Sequence, residues 1–209
     1  MQQVIPFSDL QDAQTSLDNG GRFYNILTKA DDGVITGAEL GKVAGCFADK
    51  QKMALFLDLA MAELADSDKD QVVQMLSPGL RAGMESQKPT WWLPSEALAQ
   101  GGVGASAIVT GVPKLVESKS EFKGFIMIPI MAGTVPTFTM IPMVDAYDVY
   151  ELRDEASDEA FLIAHAKGSA ELDGRRTQVA GVLKELRASK DECEASKMFL
   201  EAVYHRELA

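Results

Sequence analysis

Apolar residues recur at helical spacing through the first part of the chain, over residues 8–85. Thr36 is followed three residues later by Glu39, the spacing of a capping box at the start of a helix. Further along, apolar positions continue at intervals of three and four residues across a break near Asp49. This pattern predicts a small bundle of helices.

After residue 105 the pattern changes to short runs of β-branched and aromatic residues. The run 124–144 contains no charged residue and has the length of a membrane-spanning helix. Its three prolines remove helix donors, however, and its two halves repeat the motif Phe-x-Met-Ile-Pro around a glycine. A β-hairpin is therefore predicted. The segments 177–186 and 198–204 fit either a strand or a helix.

The predicted fold class is α+β, an N-terminal helical bundle followed by a mostly antiparallel β domain whose strands are compatible with a small barrel. The predicted organisation is a helical domain at 1–85, a proline- and glycine-rich junction at 86–104, and a β-rich domain at 105–209. Trp91 and Trp92 lie in the junction. Paired tryptophans there favour a plug between domains, with a ligand platform as the alternative.

The net charge of −11 is concentrated at the two ends of the chain. Residues 1–85 carry 7 basic and 13 acidic side chains, residues 86–144 carry 4 and 3, and residues 145–209 carry 9 and 15. Nucleic acids and anionic membranes are both recognised through clustered Lys and Arg. The composition therefore predicts no nucleic-acid partner and no membrane partner.

Cys46 and Cys193 are the two cysteines, and neither has a nearby partner in the sequence. This matches neither a disulfide framework nor a zinc motif, so free thiols in a reducing compartment are expected. The first residues lack the basic region and apolar run of a signal peptide. A cytoplasmic location is predicted.

The methionines offer a candidate interaction surface. Four of them fall on the predicted hairpin, where a flexible, polarizable side chain suits an adaptable apolar surface; they are Met127, Met131, Met140 and Met143. Core packing or self-association is favoured over a ligand groove. The expected partner is accordingly another protein or a second copy of the chain.

The stretch from Thr28 to Glu39 has the length of a calcium-binding EF-hand loop. Aligning Gly33 with the glycine of such loops puts Ile35 and Glu39 at the eighth and twelfth positions. Calcium takes roughly six or more oxygen ligands, whereas the carboxylates at suitable positions here are Asp32 and Glu39. Calcium binding by these two residues is one hypothesis, and helix capping is the simpler one. No other cofactor is predicted.

The same segment resembles the tellurite-resistance-B-like helical domains over roughly residues 22–65. The resemblance rests on Asp32-Gly33, Ile35 and Glu39-Leu40, where those domains carry Ala-Asp-Gly, a β-branched residue and Glu-Leu. In this chain Asp31 is inserted before the Asp-Gly pair. The resemblance implies an interaction or stress-response module with suspected metal binding, and it assigns no activity.

The later segments resemble the oligonucleotide/oligosaccharide-binding fold, a small closed barrel. The strands that carry the resemblance lie at 147–153, 161–165, 177–183 and 198–204, with a turn at 172–174. They cover about a third of the chain. The sequence departs from the family where nucleic acid would bind, because aromatics flanked by basic residues are not evident there.

Signals for catalysis are sparse. His165 closes an apolar strand, the chain has no Gly-x-Ser-x-Gly elbow, and neither cysteine has a nucleophile signature around it. The predicted function is a non-enzymatic binding or protein-interaction protein, with Trp91, Trp92 and His165 as candidate ligand-binding residues. The alternatives are a calcium-responsive module through Asp32 and Glu39, and an enzyme whose site combines dispersed carboxylates with His165.

Overall fold

The computed structural model describes residues 1–20, 29–47, 49–116, 125–132, 135–142, 147–154, 159–168, 171–172, 174–186 and 197–208. In these residues the helices are α1 (Leu10–Leu17), α2 (Gly37–Ala44), α3 (Lys50–Ala60), α4 (Asp66–Met75), α5 (Pro78–Ser86) and α6 (Pro94–Gln100). The strands are β1 (Gln2–Gln3), β2 (Thr90–Trp92), β3 (Ser106–Leu115), β4 (Phe125–Ala132), β5 (Val135–Pro142), β6 (Tyr147–Arg153), β7 (Ala160–Ala166), β8 (Thr177–Leu186) and β9 (Lys197–Glu207). The predicted α+β class, helical first and β-rich afterwards, is confirmed.

The chain divides into two compact units. The helical unit comprises Gln3–Thr90 and Tyr204–Arg206, and the barrel unit comprises Met1–Gln2, Trp91–Val203 and Glu207–Ala209. The boundary after Thr90 falls inside the stretch 86–104, and α6 from the same stretch belongs to the barrel unit. Strand β9 contributes residues to both units.

Local capping signals fix the starts of α2 and α3. The Thr36 hydroxyl accepts the Glu39 N–H, and the Glu39 carboxylate accepts the Thr36 N–H, so the predicted capping box that begins α2 is present. Asp49 caps α3 through the Lys52 N–H, at the break predicted from the sequence. The helices bury a core that includes Leu17, Leu40, Leu55, Leu59 and Val72.

Tyr204 completes the core of the helical unit from the far end of the sequence. Its side chain is 2% exposed, and its ring meets Phe56 edge to face at a centroid distance of 5.7 Å. Its hydroxyl donates to the Ala44 carbonyl oxygen at 2.7 Å, which satisfies an acceptor at the end of α2.

Five strands close a small barrel in the order β3-β6-β7-β9-β8 and back to β3. The pairs β3–β6, β3–β8 and β6–β7 are antiparallel, whereas β7 and β9 run parallel. Both segments that the sequence left open, at 177–186 and 198–204, are barrel strands. Gly181 permits the close approach of β8 and β9, because a Cβ there would lie 2.3 Å from the Glu201 carbonyl oxygen.

The predicted hairpin is present, and in the sequence it lies between the barrel strands β3 and β6. Strands β4 and β5 pair with each other in an antiparallel two-stranded sheet of eight residue pairs, from Phe125↔Pro142 to Ala132↔Val135. None of the helices in the described part of the chain has the length and apolar run that a membrane crossing needs.

Candidate functional site

The inner face of the barrel is apolar at one end and polar at the other. Tyr150 and Leu152 of β6 and Phe161 and Ile163 of β7 all belong to the barrel core. Because side chains alternate along a strand, the next inward positions are Asp148 on β6 and His165 on β7. These two residues are register partners, directly opposite each other. The fold therefore brings an imidazole and a carboxylate together at one end of the barrel.

Helix α6 lies at the other end. Ala97 of this helix is part of the barrel core, and Ser95 Oγ contacts Asp154 Oδ2 at 3.4 Å, one residue beyond the end of β6. Phe161, near this end, precedes His165 by four residues along β7. At about 3.3 Å per residue, His165 lies roughly 13 Å further along the barrel.

His165 is buried with one of its two ring nitrogens satisfied. Its side chain is 1% exposed and stacks on Tyr150, with ring centroids 5.5 Å apart and an interplanar angle of 24°. Nδ1 lies 3.1 Å from the Ala166 carbonyl oxygen. Nε2 is buried and has no hydrogen-bond partner among the residues that the structure describes. A buried nitrogen without a hydrogen-bond partner lowers the stability of the fold by about 1–3 kcal/mol. Its presence here is therefore explained by a ligand group that bonds to it or by another function.

Tyr150 supplies the wall of the site. It is 1% exposed, and its hydroxyl oxygen accepts the Leu172 N–H at 3.4 Å. Burial raises the pKa of Tyr150; the Leu172 N–H opposes the rise, and the negative charges of Glu171 and Asp148 add to it. The phenol therefore stays neutral, with two carboxylates close to it.

Trp91 and Trp92 lie on opposite faces of β2, because successive side chains alternate along a strand. Trp92 is partly buried and packs against the barrel core, whereas Trp91 is 39% exposed. Trp92 thus fills space inside one unit, and Trp91 keeps an exposed aromatic surface. His165 stacks on Tyr150 and bonds to Ala166 rather than to either tryptophan, so the structure does not bring the three candidate ligand-binding residues together.

Asp32 and Glu39 both use their carboxylates to hold the backbone. Glu39 is fully buried; one oxygen accepts the Thr36 N–H and hydroxyl at 2.8 Å each, and the other accepts the Gly20 N–H at 2.8 Å. Asp32 accepts the Val34 N–H at 3.0 Å. Over the described residues, no group of three or more His, Cys, Asp or Glu side chains is placed to hold a metal ion. This geometry gives Glu39 a structural role.

Three residues that matter to these sites were not identified from the sequence. Asp18 is 5% exposed and accepts the N–H groups of Asp32 at 3.3 Å and Gly33 at 2.7 Å, so it shapes the turn before α2. Asp148 and Tyr150 form, together with His165, the site at the polar end of the barrel, named the barrel-end site. The period of two in β6 places them on one face, but pairing them with His165 needs the register of β6 and β7.

The comparisons with known proteins add no family assignment. A search against protein-family models matches none, and a search of curated proteins also finds no match. The site itself therefore provides the information on function.

Proposed function

We propose that this chain is a non-enzymatic binding protein and that the end of its barrel around His165 holds a small ligand. The observation that carries the proposal is the buried Nε2 of His165, which has no partner among the described residues. Buried polar atoms in folded proteins nearly always have a partner. A ligand that supplies one explains why a histidine occupies this inward position.

The strand order supports a binding barrel. We propose that the order β3-β6-β7-β9-β8 makes this a barrel of the oligonucleotide/oligosaccharide-binding type, a fold that hosts many ligand-binding sites. That likeness is an analogy of fold and names no ligand. Asp148 at the polar end and the net charge of −11 disfavour nucleic acid as the ligand.

The surroundings of His165 favour binding over catalysis. A nucleophile needs a lowered pKa or an adjacent base, whereas the pKa of Tyr150 is raised and its phenol stays neutral. Cys46, the free cysteine of the described residues, belongs to the helical unit. Burial raises the pKa of its thiol as well, which keeps the thiol unreactive.

Native mass spectrometry of the purified chain tests the proposal. Wild-type protein is expected to carry a reproducible small-molecule mass, and His165→Phe, which keeps an aromatic ring against Tyr150, is expected to lose it. Trp92→Phe is the matched control, since Trp92 packs on the barrel core and His165 makes its ring stacking with Tyr150 and its hydrogen bond with Ala166. A wild-type protein free of any bound mass, and unshifted in melting temperature by a library of small polar compounds, would contradict the proposal.

A second function is favoured by the hairpin of β4 and β5. Its sequence carries no charged residue, and it forms a two-stranded sheet separate from the barrel sheet. A two-stranded hairpin alone is marginally stable in water. We propose that it is stabilised by contact with a second copy of the chain.

Its prolines favour contact through a face of the hairpin. Pro129, Pro136 and Pro142 occupy the same class of register position. Proline has no backbone N–H to donate to the opposite strand. In a regular antiparallel ladder the three prolines therefore occupy non-hydrogen-bonded pairs, and the positions where their N–H groups are missing face the outer edges of the hairpin. Such edges are poor templates for a further strand.

Opposite charges introduced at one register pair test this interface. Met127 and Met140 are register partners, as are Ile126 and Ile141 on the other face. The double variant Met127→Glu/Met140→Lys keeps a cross-strand attraction and is expected to shift the chain towards monomer in light scattering. The matched variant Ile126→Glu/Ile141→Lys reports on the opposite face. Monomeric wild-type protein at all concentrations would rule out self-association.

We also propose a cytoplasmic location. The free thiol of Cys46 fits a reducing compartment. Fractionation of cells that express the tagged chain tests this, and recovery from an oxidising compartment would refute it.

A further inference from the structure

The tautomer of a neutral His165 ring follows from the hydrogen bond that its Nδ1 makes. Nδ1 faces the carbonyl oxygen of Ala166 at 3.1 Å, and a carbonyl oxygen only accepts. Nδ1 therefore carries the proton of the neutral ring, and Nε2 presents a lone pair. The complementary group on a ligand is a hydrogen-bond donor.

Two carboxylates give the site its charge. Asp148 is the register partner of His165 and lies on the same inner face, half-buried near the start of β6. Glu171 precedes Leu172, whose N–H reaches the Tyr150 hydroxyl. The charges of Asp148 and Glu171 both help to raise the pKa of Tyr150, which agrees with their closeness in the fold.

Tyr150 adds an aromatic surface to this acidic surrounding. Its ring is stacked on the imidazole, and the neutral phenol brings no opposing charge. A cation near the face of an aromatic ring is attracted by the ring quadrupole. An acceptor nitrogen, nearby carboxylates and an aromatic wall all favour the same kind of ligand group.

We infer that the barrel-end site binds the primary ammonium group of a small organic amine, which donates to His165 Nε2 and is balanced by Asp148. This inference rests on the function proposed above and specifies its ligand class. Neutral hydroxyl donors satisfy the nitrogen but leave the carboxylates without a counter-charge. A metal ion is disfavoured, since the described residues provide no cluster of three or more ligating side chains.

Two probes that differ only in the donor group test the inference. n-Butylamine and n-butanol are titrated separately into the full chain, and binding is followed at the His165 ring nitrogens by ¹⁵N NMR. The amine is expected to bind at least about tenfold more tightly, because charge-assisted hydrogen bonds are roughly twice as strong as neutral ones. A shift confined to Nε2, with Nδ1 still protonated, is expected for the amine.

Asp148→Asn separates charge from shape. The variant keeps the size of the side chain and is expected to reduce the preference for the amine to about twofold or less, while leaving the affinity for n-butanol unchanged. Glu171→Gln is the second charge variant, with a smaller expected loss. Intrinsic Trp91 and Trp92 fluorescence reports whether each variant keeps a folded barrel, because both residues belong to that unit.

The outcomes distinguish the ligand class from the proposed function. Equal affinity for both probes, or a preference that survives Asp148→Asn, overturns the ammonium inference and leaves a binding site at His165. Failure of both probes to bind also overturns the ammonium inference. The proposed function is tested separately, by the presence or absence of a bound small-molecule mass in native mass spectrometry.

Discussion

Replacing His165 by phenylalanine should make the ligand-free barrel more stable, which is the reverse of the usual effect of a buried substitution. The histidine is 1% exposed, and its Nε2 has no partner among the described residues. Phenylalanine keeps an aromatic ring against Tyr150 and removes the unsatisfied nitrogen. Residues at binding sites often reduce stability in this way, because function selects them.

The size of the gain follows from two opposing contributions. Removing a buried polar atom without a partner gains about 1–3 kcal/mol, and losing the Nδ1 hydrogen bond to Ala166 costs about 1 kcal/mol. The net expectation is a gain of about 1 kcal/mol. For a unit of this size that raises the melting temperature by roughly 3–6 °C.

Thermal unfolding followed by tryptophan fluorescence measures this change in the barrel unit, where Trp91 and Trp92 both lie. The comparison uses protein shown by native mass spectrometry to be free of ligand, because bound ligand stabilises the wild type. His165→Asn is the control: it keeps a buried polar side chain and loses the ring, so it should be less stable than the wild type. If His165→Phe is instead destabilised by more than about 1 kcal/mol, Nε2 is satisfied within the protein and the ligand argument fails.

Four further results are expected. Tyr204→Phe leaves the Ala44 carbonyl without its donor and should destabilise the helical unit by about 1–3 kcal/mol, measured by circular dichroism in urea, with unchanged tryptophan fluorescence. Burial raises the pKa of the Tyr204 and Tyr147 hydroxyls in the folded chain. Their contribution to the free energy of unfolding should therefore be complete below about pH 10 and be lost as the pH rises above it. Urea midpoints measured across that range, and compared with those of Tyr204→Phe and Tyr147→Phe, check this. Gly181→Ala puts a Cβ against a backbone oxygen of the next strand and should cost the barrel about 1–3 kcal/mol by fluorescence. Glu39→Gln should lower the helical melting temperature, and added calcium should leave the wild type unchanged; stabilisation by calcium that this variant abolishes would support the EF-hand hypothesis.

The helical half was predictable because its signals are local. The capping box of Thr36 and Glu39 and the cap at Asp49 need contacts only three residues apart. Helix α6 was missed although its signals are of the same kind: Pro94 occupies its first turn, and the Glu96 carboxylate accepts the Leu93 N–H at 2.8 Å. The glycines and prolines around it outweighed them in the sequence.

Strands β8 and β9 could not be decided from periodicity. Val179 and Leu183 face the barrel core at positions that also suit one face of a helix. Pairing with β3 helps to determine the outcome for β8, and that partner lies far away in the sequence. Tyr204 poses the same difficulty, since the Ala44 carbonyl that it satisfies is 160 residues distant.

The barrel-end site combines both situations, which explains why the sequence indicated His165 but none of its neighbours. A histidine that ends an apolar strand stands out in a sequence, whereas Asp148 resembles any other solvated carboxylate of an acidic chain. The register of β6 and β7 is what places Asp148 opposite His165. A shift of one residue would turn Asp148 and Tyr150 to the outside of the barrel. Because the apolar positions Leu152 and Phe161 fix that register through the core, the packing that stabilises the barrel also brings the carboxylate and the imidazole together. The polar end therefore depends on the apolar end, and core variants near Phe161 should weaken amine binding without touching the site.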